Sequence, residues 1–367
     1  MTGLISFGFT NSVFVEASDR RITKMYSYAK ERELDMHSRR IFLIAAAIFV
    51  ALCCTQQSYV QAGTKLQRLF YYNDTESAFR DLRQHIDQIT ILAPTAFNVD
   101  AEGVVWGAID PRAIDLAEKH KVEVMPLIHN AKFNQALLHK LMTNPASIKR
   151  MLSTLVDVCK LNNFVGIQFD FEDLNVADKD LYTNMCREAS QALHAHGLEF
   201  SVAIVGRASD FAGPTEASAH GFENWSGGYD LGELAKVTDF VTVMAYGKHG
   251  KGIIDVIKYA LKSIPPNKLS VGIPLFSKYW SDGGKRTSLN YESAMGLVDR
   301  YKTEVRWDST DGVDYAVFHT NGSFQYMYVE DARGFAYKRD LYKRYNLLGF
   351  SAFTLGLEDP KIWQILK

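Results

Sequence analysis

Gln168, Asp170 and Glu172 occupy alternate positions in FVGIQFDFED, residues 164–173. Residues two apart on a strand share a face. The three polar groups therefore point one way, and Ile167, Phe169 and Phe171 point the other. The run is otherwise apolar, the pattern of a strand buried on both sides. Charge inside such a strand is costly unless it is paired or used. A salt-bridge layer would need basic partners, and near the same level the other apolar runs offer only His129 and Arg207. Two carboxylates this close on one face suit acid–base work, with Glu172 at the C-terminal end of the run.

The elements that must carry these groups follow from hydrophobic periodicity. Eight strand-like runs lie at 66–73, 89–97, 122–130, 164–172, 198–206, 239–247, 269–276 and 347–355. Amphipathic stretches separate them, among them ESAFRDLRQHIDQ, DPRAIDLAEKHK, DKDLYTNMCREASQALHAHG and GIIDVIKYALKSI. Asp74 and Asp110 are helix-start signals and Gly197 is a stop signal. Strict alternation implies a parallel sheet, and eight repeats imply a closed (β/α)8 TIM barrel. In such a barrel the site lies at the C-terminal strand ends, which is where Glu172 falls. Residues 277–330 break the rhythm, with a helical NYESAMGLVDRYK and strand-like pieces around Asn321–Gly322, a hairpin signal. They predict a small α+β insertion between strands seven and eight, with the barrel formed by 63–276 and 331–367.

The chain has 367 residues, 47% hydrophobic and 23% charged, enough for one large core. A formal charge of -1 gives no basic face, so nucleic acid is excluded as an expected partner. No cysteine–histidine cluster has metal-ligand spacing, and neither a metal nor a cofactor is expected. From Met36 onward, Arg39 and Arg40 precede an uncharged apolar run at 41–54, and Val60 and Ala62 fit a peptidase site. Residues 1–62 are thus expected to be an upstream extension plus a signal peptide, with Met36 the true start and the mature chain exported. A membrane anchor through 41–54 is the alternative, against which stands the shortness of the run. Cys159 and Cys186 sit in helical patterns. They suit packed thiols, though an exported chain could join them.

VGIQFDFE resembles the DGxDxDxE signature of glycoside hydrolase family 18, the chitinase and N-acetylglucosaminidase family. VTVMAYG (241–247) is similar to that family's Met-x-Tyr strand, and LSVGIPLFSKYW (269–280) to its GIPFYG segment. EDARGFAYKRDLYKRYNLLGFSAFTLGLEDPKIW resembles the closing helix and strand of its peptidoglycan-directed branch. The four stretches fall in register on the barrel and cover about residues 66–367. The resemblance implies substrate-assisted retaining hydrolysis of β-1,4-linked N-acetylglucosamine glycans, in which the 2-acetamido oxygen replaces a protein nucleophile. It implies Glu172 as general acid, Asp170 as the group that orients the acetamide, and Tyr246 as donor to the acetamide oxygen. Neighbouring carboxylates in a dry site should titrate as a pair and keep one proton near neutral pH.

Gln168, Met244, Phe353, Tyr72 and Trp280 are the expected substrate contacts, with Tyr71, Trp225 and Tyr279 further aromatic candidates. His129 and Asn130 end strand three, a functional position or a capping one. His249 carries little weight. Val165 and Gln168 depart from the family's first and middle Asp. Gly247 stands where Asp usually follows the tyrosine, and Phe353 where Trp usually floors the sugar site. These departures keep open an alternative, a weakly catalytic or silent glycan-binding barrel. Retention of Asp170, Glu172 and Tyr246 favours the enzyme.

Overall fold

The computed structural model describes residues 66–366 apart from positions 283 and 321. The expected signal and anchor segments lie outside the described residues. Eight strands form the barrel: β1 Gln67–Tyr72, β2 Ile91–Val99, β3 Leu127–Asn130, β4 Gly166–Phe169, β5 Glu199–Val205, β6 Phe240–Met244, β7 Leu269–Pro274 and β8 Gly349–Phe353. Each pairs in parallel with its sequence neighbour, and β1 pairs with both β2 and β8, which closes the sheet. The expected (β/α)8 architecture is therefore the observed one.

Seven of the eight strands are shorter than their apolar runs, and β2 keeps its length but lies two residues later. The run at 122–130 splits into Glu123–Val124 and β3, with Pro126 between them. β4 ends at Phe169, so Asp170 and Glu172 stand just beyond its regular ladder. Gly166 lets β4 meet β5 closely, since a Cβ there would sit 2.0 Å from the Glu199 carbonyl oxygen.

Helix caps match the local chemistry. Asp110 accepts from Arg112 N and Pro111 opens the helix Pro111–His120. The helix Glu76–His85 is capped by Thr75, one residue after the expected Asp74. Gly197, at φ 70°, turns the chain after the helix Lys179–His194.

Two layers fill the molecule. Outward-facing strand residues such as Phe70, Ile167 and Phe169 pack under the helices. Inside the barrel, Leu69, Tyr71, Ala93, Met125, Leu127 and Phe240 form a smaller apolar cluster. A polar layer completes the interior. Gln168 Nε2 donates to Ser201 Oγ at 2.7 Å, and Thr242 and Ser270 bond Ser351 at 3.0 and 2.8 Å. Pairing these groups avoids the cost of burying them alone.

Between β7 and β8 an antiparallel five-stranded sheet stands apart from the barrel sheet, with strands Ser277–Ser281, Thr287–Leu289, Arg306–Asp308, Val313–Thr320 and Ser323–Val329. Ala316, Met327 and Val329 on one face pack against Ala294 and Val298 of the helix Tyr291–Tyr301. The last two strands form a hairpin in which Thr320 opposes Ser323. Cys159 and Cys186 are both buried and free. No helix among the described residues is long and apolar enough to cross a membrane.

Candidate active site

A cavity of about 950 Å³ opens at the C-terminal end of the barrel, and both Asp170 and Glu172 line it. Backbone contacts from neighbouring strands and loops place the pair. Asp170 N donates to Ile128 O at 2.9 Å, which continues the β3–β4 ladder one step past the strand. The fully buried Asn130 then clamps Glu172 from both sides. Its Nδ2 donates to Glu172 O at 3.0 Å, and its Oδ1 accepts from Glu172 N at 3.1 Å. Tyr229 OH donates to Phe171 O at 2.7 Å. Asp173 follows in a left-handed conformation, φ 54°, and turns the chain away. A clamp on both peptide groups removes the freedom that would otherwise let the Glu172 carboxyl wander.

Among the described residues the Glu172 side chain has one hydrogen-bond partner, Trp225, whose Nε1 donates to Glu172 Oε2 at 2.8 Å. Trp225 sits in a π-turn, Phe222–Ser226, in the loop after β5. Burial raises the Glu172 carboxyl above its ordinary value. The Trp225 N–H opposes that shift and the Asp173 charge adds to it. Asp170 is also raised, first by burial and then by the charge of Glu172. Two carboxyls that disfavour each other's ionisation in a poorly solvated site hold a proton toward neutral pH.

Two buried atoms here lack a protein partner among the described residues, Asp170 Oδ1 and Tyr246 OH. One can accept and the other can donate. Both residues line the cavity, and an acceptor beside a donor matches the N–H and C=O of an amide. Around them stand aromatic rings. Phe353 lies 5.5 Å from Tyr71 and 5.6 Å from Tyr246 by ring centroids, and Phe276 lies 6.0 Å from Tyr246. The opposite rim carries His129 stacked on Phe133 at 5.3 Å, with Phe133 and Trp225 partly exposed. Apolar rings around a few fixed polar groups are the usual make-up of a site for sugars and other small ligands.

Residues 67–358 match the model of glycosyl hydrolases family 18. The chain belongs to glycoside hydrolase family 18. It is therefore a glycosidase. It is 26% identical over 313 residues to a cortical fragment-lytic enzyme of Bacillus subtilis, spanning 80% of this chain and 70% of the relative. It is 22% identical over 348 residues to a glycosylase of the same organism described as uncharacterized, spanning 90% and 98%. Among solved structures, the Bacillus megaterium spore cortex-lytic enzyme SleL matches with a TM-score of 0.73 and 24% identity over 82% of this chain and 73% of that one. A chitinase from Chromobacterium violaceum matches at 0.74 and 23%, over 82% and 98%. At these identities the structural matches speak for the fold.

Within this family-18 barrel, Tyr246, Met244 and Phe353 line the cavity with the carboxylate pair. Three expected contacts do not. Gln168 lies a layer lower, fully buried, where its Oε1 accepts from Tyr71 OH at 2.7 Å and its Nε2 serves Ser201 and Thr242. Its amide is consumed by the barrel interior. Tyr72 points to the helix side of β1 and donates to Asp110 Oδ2 at 3.2 Å, while its neighbour Tyr71 faces the cavity. Strand alternation sends adjacent tyrosines to opposite faces, and the expected one is the one that faces the helices. Trp280 lies farther out on the inserted sheet, stacked 5.8 Å from Tyr326, and Lys278 reaches the cavity instead. Tyr279 is on the opposite face of that strand, 6.2 Å from Phe318. His249 is buried 4.6 Å from Tyr328 and within 4.0 Å of Glu330, away from the carboxylates. The pairing of Trp225 with Glu172 and the Asn130 clamp were not foreseen. Trp225 had stood out only as one aromatic among several, and Asn130 only by its place at a strand end.

Proposed function

We propose that this glycosidase hydrolyses β-1,4-linked N-acetylglucosamine-containing glycans by substrate-assisted catalysis, with Glu172 as acid, Asp170 as acetamide holder and Tyr246 as acetamide-oxygen donor. The observation that carries the reading is the half-buried Asp170–Glu172 pair facing the unpartnered Tyr246 hydroxyl. In the reaction, Glu172 protonates the departing glycosidic oxygen as the acetamide oxygen attacks the anomeric carbon. Asp170 accepts from the acetamide N–H and balances the positive charge that develops on the cyclic intermediate. Glu172, now ionised, takes a proton from the water that opens that ring, which restores the acid and retains the anomeric configuration. Phe353 stacks under the sugar whose bond is cut.

Names of relatives that refer to cortical fragments, spore cortex and chitin support a glycan of this class. The same names favour export, and the sequence pattern at Val60 and Ala62 favours removal of the segment before Gly63. N-terminal sequencing of the exported protein should begin at Gly63, and a mature form that keeps residues 41–54 would favour an anchor. The test of the reaction is incubation with N-acetylglucosamine oligomers and with peptidoglycan, followed by mass spectrometry of the products. Glu172→Gln should lower turnover by ~10²–10⁴-fold while glycan binding holds. Hydrolysis that persists in Glu172→Gln would place the acid elsewhere.

A further inference from the structure

The cavity wall opposite the aromatic rim carries two lysines that form no ion pair among the described residues. Lys278, on the first strand of the inserted sheet, lines the cavity together with Lys248 from the loop after β6. The Lys278 ammonium lies 4.6 Å over the Phe276 ring and donates to Ser288 Oγ at 2.8 Å. Phe276 packs in turn on Tyr246 and Phe353, at 6.0 and 6.4 Å. Lys278 therefore stands beside the floor on which the reacting sugar would rest. Neither lysine has an ion-pair partner among the described residues.

A structural role for Lys278 does not account for this arrangement. The cation–π contact with Phe276 is favourable, but partial burial disfavours the lysine's charge, and the nearby Arg286 disfavours it further. Arg286 itself lies 4.9 Å over the Trp280 ring. Neither of these two cations forms an ion pair among the described residues. Arg207, the third cation on the cavity wall, is occupied by the carbonyl oxygens of Ser226 and Tyr229, at 2.6 and 3.0 Å. The acids on the wall are Asp170 and Glu172, a pair that keeps one proton and so sets one negative charge against Lys248, Lys278 and Arg207. The field at the mouth is thus positive in a chain whose formal charge is -1.

The geometry points to a carboxylate on the substrate. Lys278 and Lys248 receive an acid group carried by the glycan next to the bond that is cut, so the preferred strand is an acidic N-acetylated glycan and not the neutral homopolymer. This rests on the glycosidase reading above and narrows it. The acid can be ether-linked to a sugar, as in N-acetylmuramic acid, or can end a peptide branch. The chemistry at the lysines is the same, a charge-assisted hydrogen bond to a carboxylate.

The experiment compares four substrates on the full chain: alternating N-acetylglucosamine–N-acetylmuramic acid strands without peptide, the same strands with carboxyls reduced to alcohols, peptide-bearing strands, and the neutral N-acetylglucosamine hexamer. The wild type should cleave the acidic strand with kcat/KM on the order of tenfold above its carboxyl-reduced form, the size of one charge-assisted hydrogen bond. Lys278→Met should bring the two values together, and Lys278→Arg should keep most of the difference. A preference seen only with peptide-bearing strands assigns the carboxylate to the peptide. Dissociation constants for the acidic and reduced strands, measured on Glu172→Gln, read the same ratio without turnover. They keep this inference testable if none of the four substrates is cleaved, an outcome that would instead sink the glycosidase reading. Equal binding and equal rates on acidic and reduced strands, or a ratio that survives in Lys278→Met, overturns the assignment.

Discussion

Trp225→Phe should move the alkaline limb of the pH–rate profile to higher pH. The indole Nε1 donates to Glu172 Oε2 at 2.8 Å, and this bond stabilises the ionised carboxylate against the burial that raises it. Phenylalanine keeps most of the ring but lacks the donor. A hydrogen bond to a charged group contributes about 1.5–3 kcal/mol. Trp225 is 45% exposed, so solvent screens part of that, and about 1 kcal/mol is the appropriate figure. At 1.36 kcal/mol per unit, the Glu172 value rises by about 0.7 unit. The acid works only while it holds its proton, and activity falls as pH rises through its value. Raising that value therefore shifts the fall upward. The assay is kcat/KM against pH on a fluorogenic N-acetylglucosamine oligomer, which reports the free enzyme. The limb belongs to the coupled Asp170–Glu172 pair, so a shift of about half a unit or more upward is the expected signal. Lost stacking on the sugar would lower the plateau of the profile without moving its limb. A limb that stays in place, or moves to lower pH, in a folded Trp225→Phe protein refutes the argument.

Asn130→Ala removes both clamps on the Glu172 peptide groups, and leaving those groups short of partners should cost about 2 kcal/mol of stability. Denaturant unfolding measures this, and kcat should fall more than glycan affinity because the carboxyl is displaced while the aromatic walls remain. A fully active Asn130→Ala protein would remove the clamp from the argument. Glu358 is buried, with its Oε2 accepting from Gly356 N and Leu357 N and its Oε1 without a partner among the described residues, and burial raises it from 4.5 to about 7. A raised folded value means that its contribution is complete below 4.5 and is lost as pH climbs to about 7, a decline of up to about 3 kcal/mol. Thermal unfolding should therefore show the wild type losing more stability than Glu358→Gln between about pH 4.5 and pH 7.5. Parallel curves for the two proteins would exclude Glu358 as the source.

The barrel and the carboxylate pair were legible because both are written in short periods. Eight apolar runs separated by amphipathic ones describe a closed parallel sheet without knowledge of any contact, and Asp170 and Glu172 interrupt one run on a single face. The same period failed where it carried no contrast. Tyr71 and Tyr72 are both aromatic and both buried, so nothing in their types says which one faces the interior. On the inserted strand, Lys278 and Trp280 share a face, and preference for the aromatic residue hid the lysine that lines the cavity. Contacts to the segment just beyond β4 were not legible at all. Asn130 reaches Glu172 across 42 positions and Trp225 reaches it across 53. Loops have no period to read. This division follows the physics of the site. The barrel sets where the acid stands, a matter of backbone register that the strand pattern encodes. Its proton affinity is set by what surrounds the carboxyl, and here the opposing influence comes from a loop indole. Substitution in that loop can therefore retune the working pH without disturbing the strand that holds the acid.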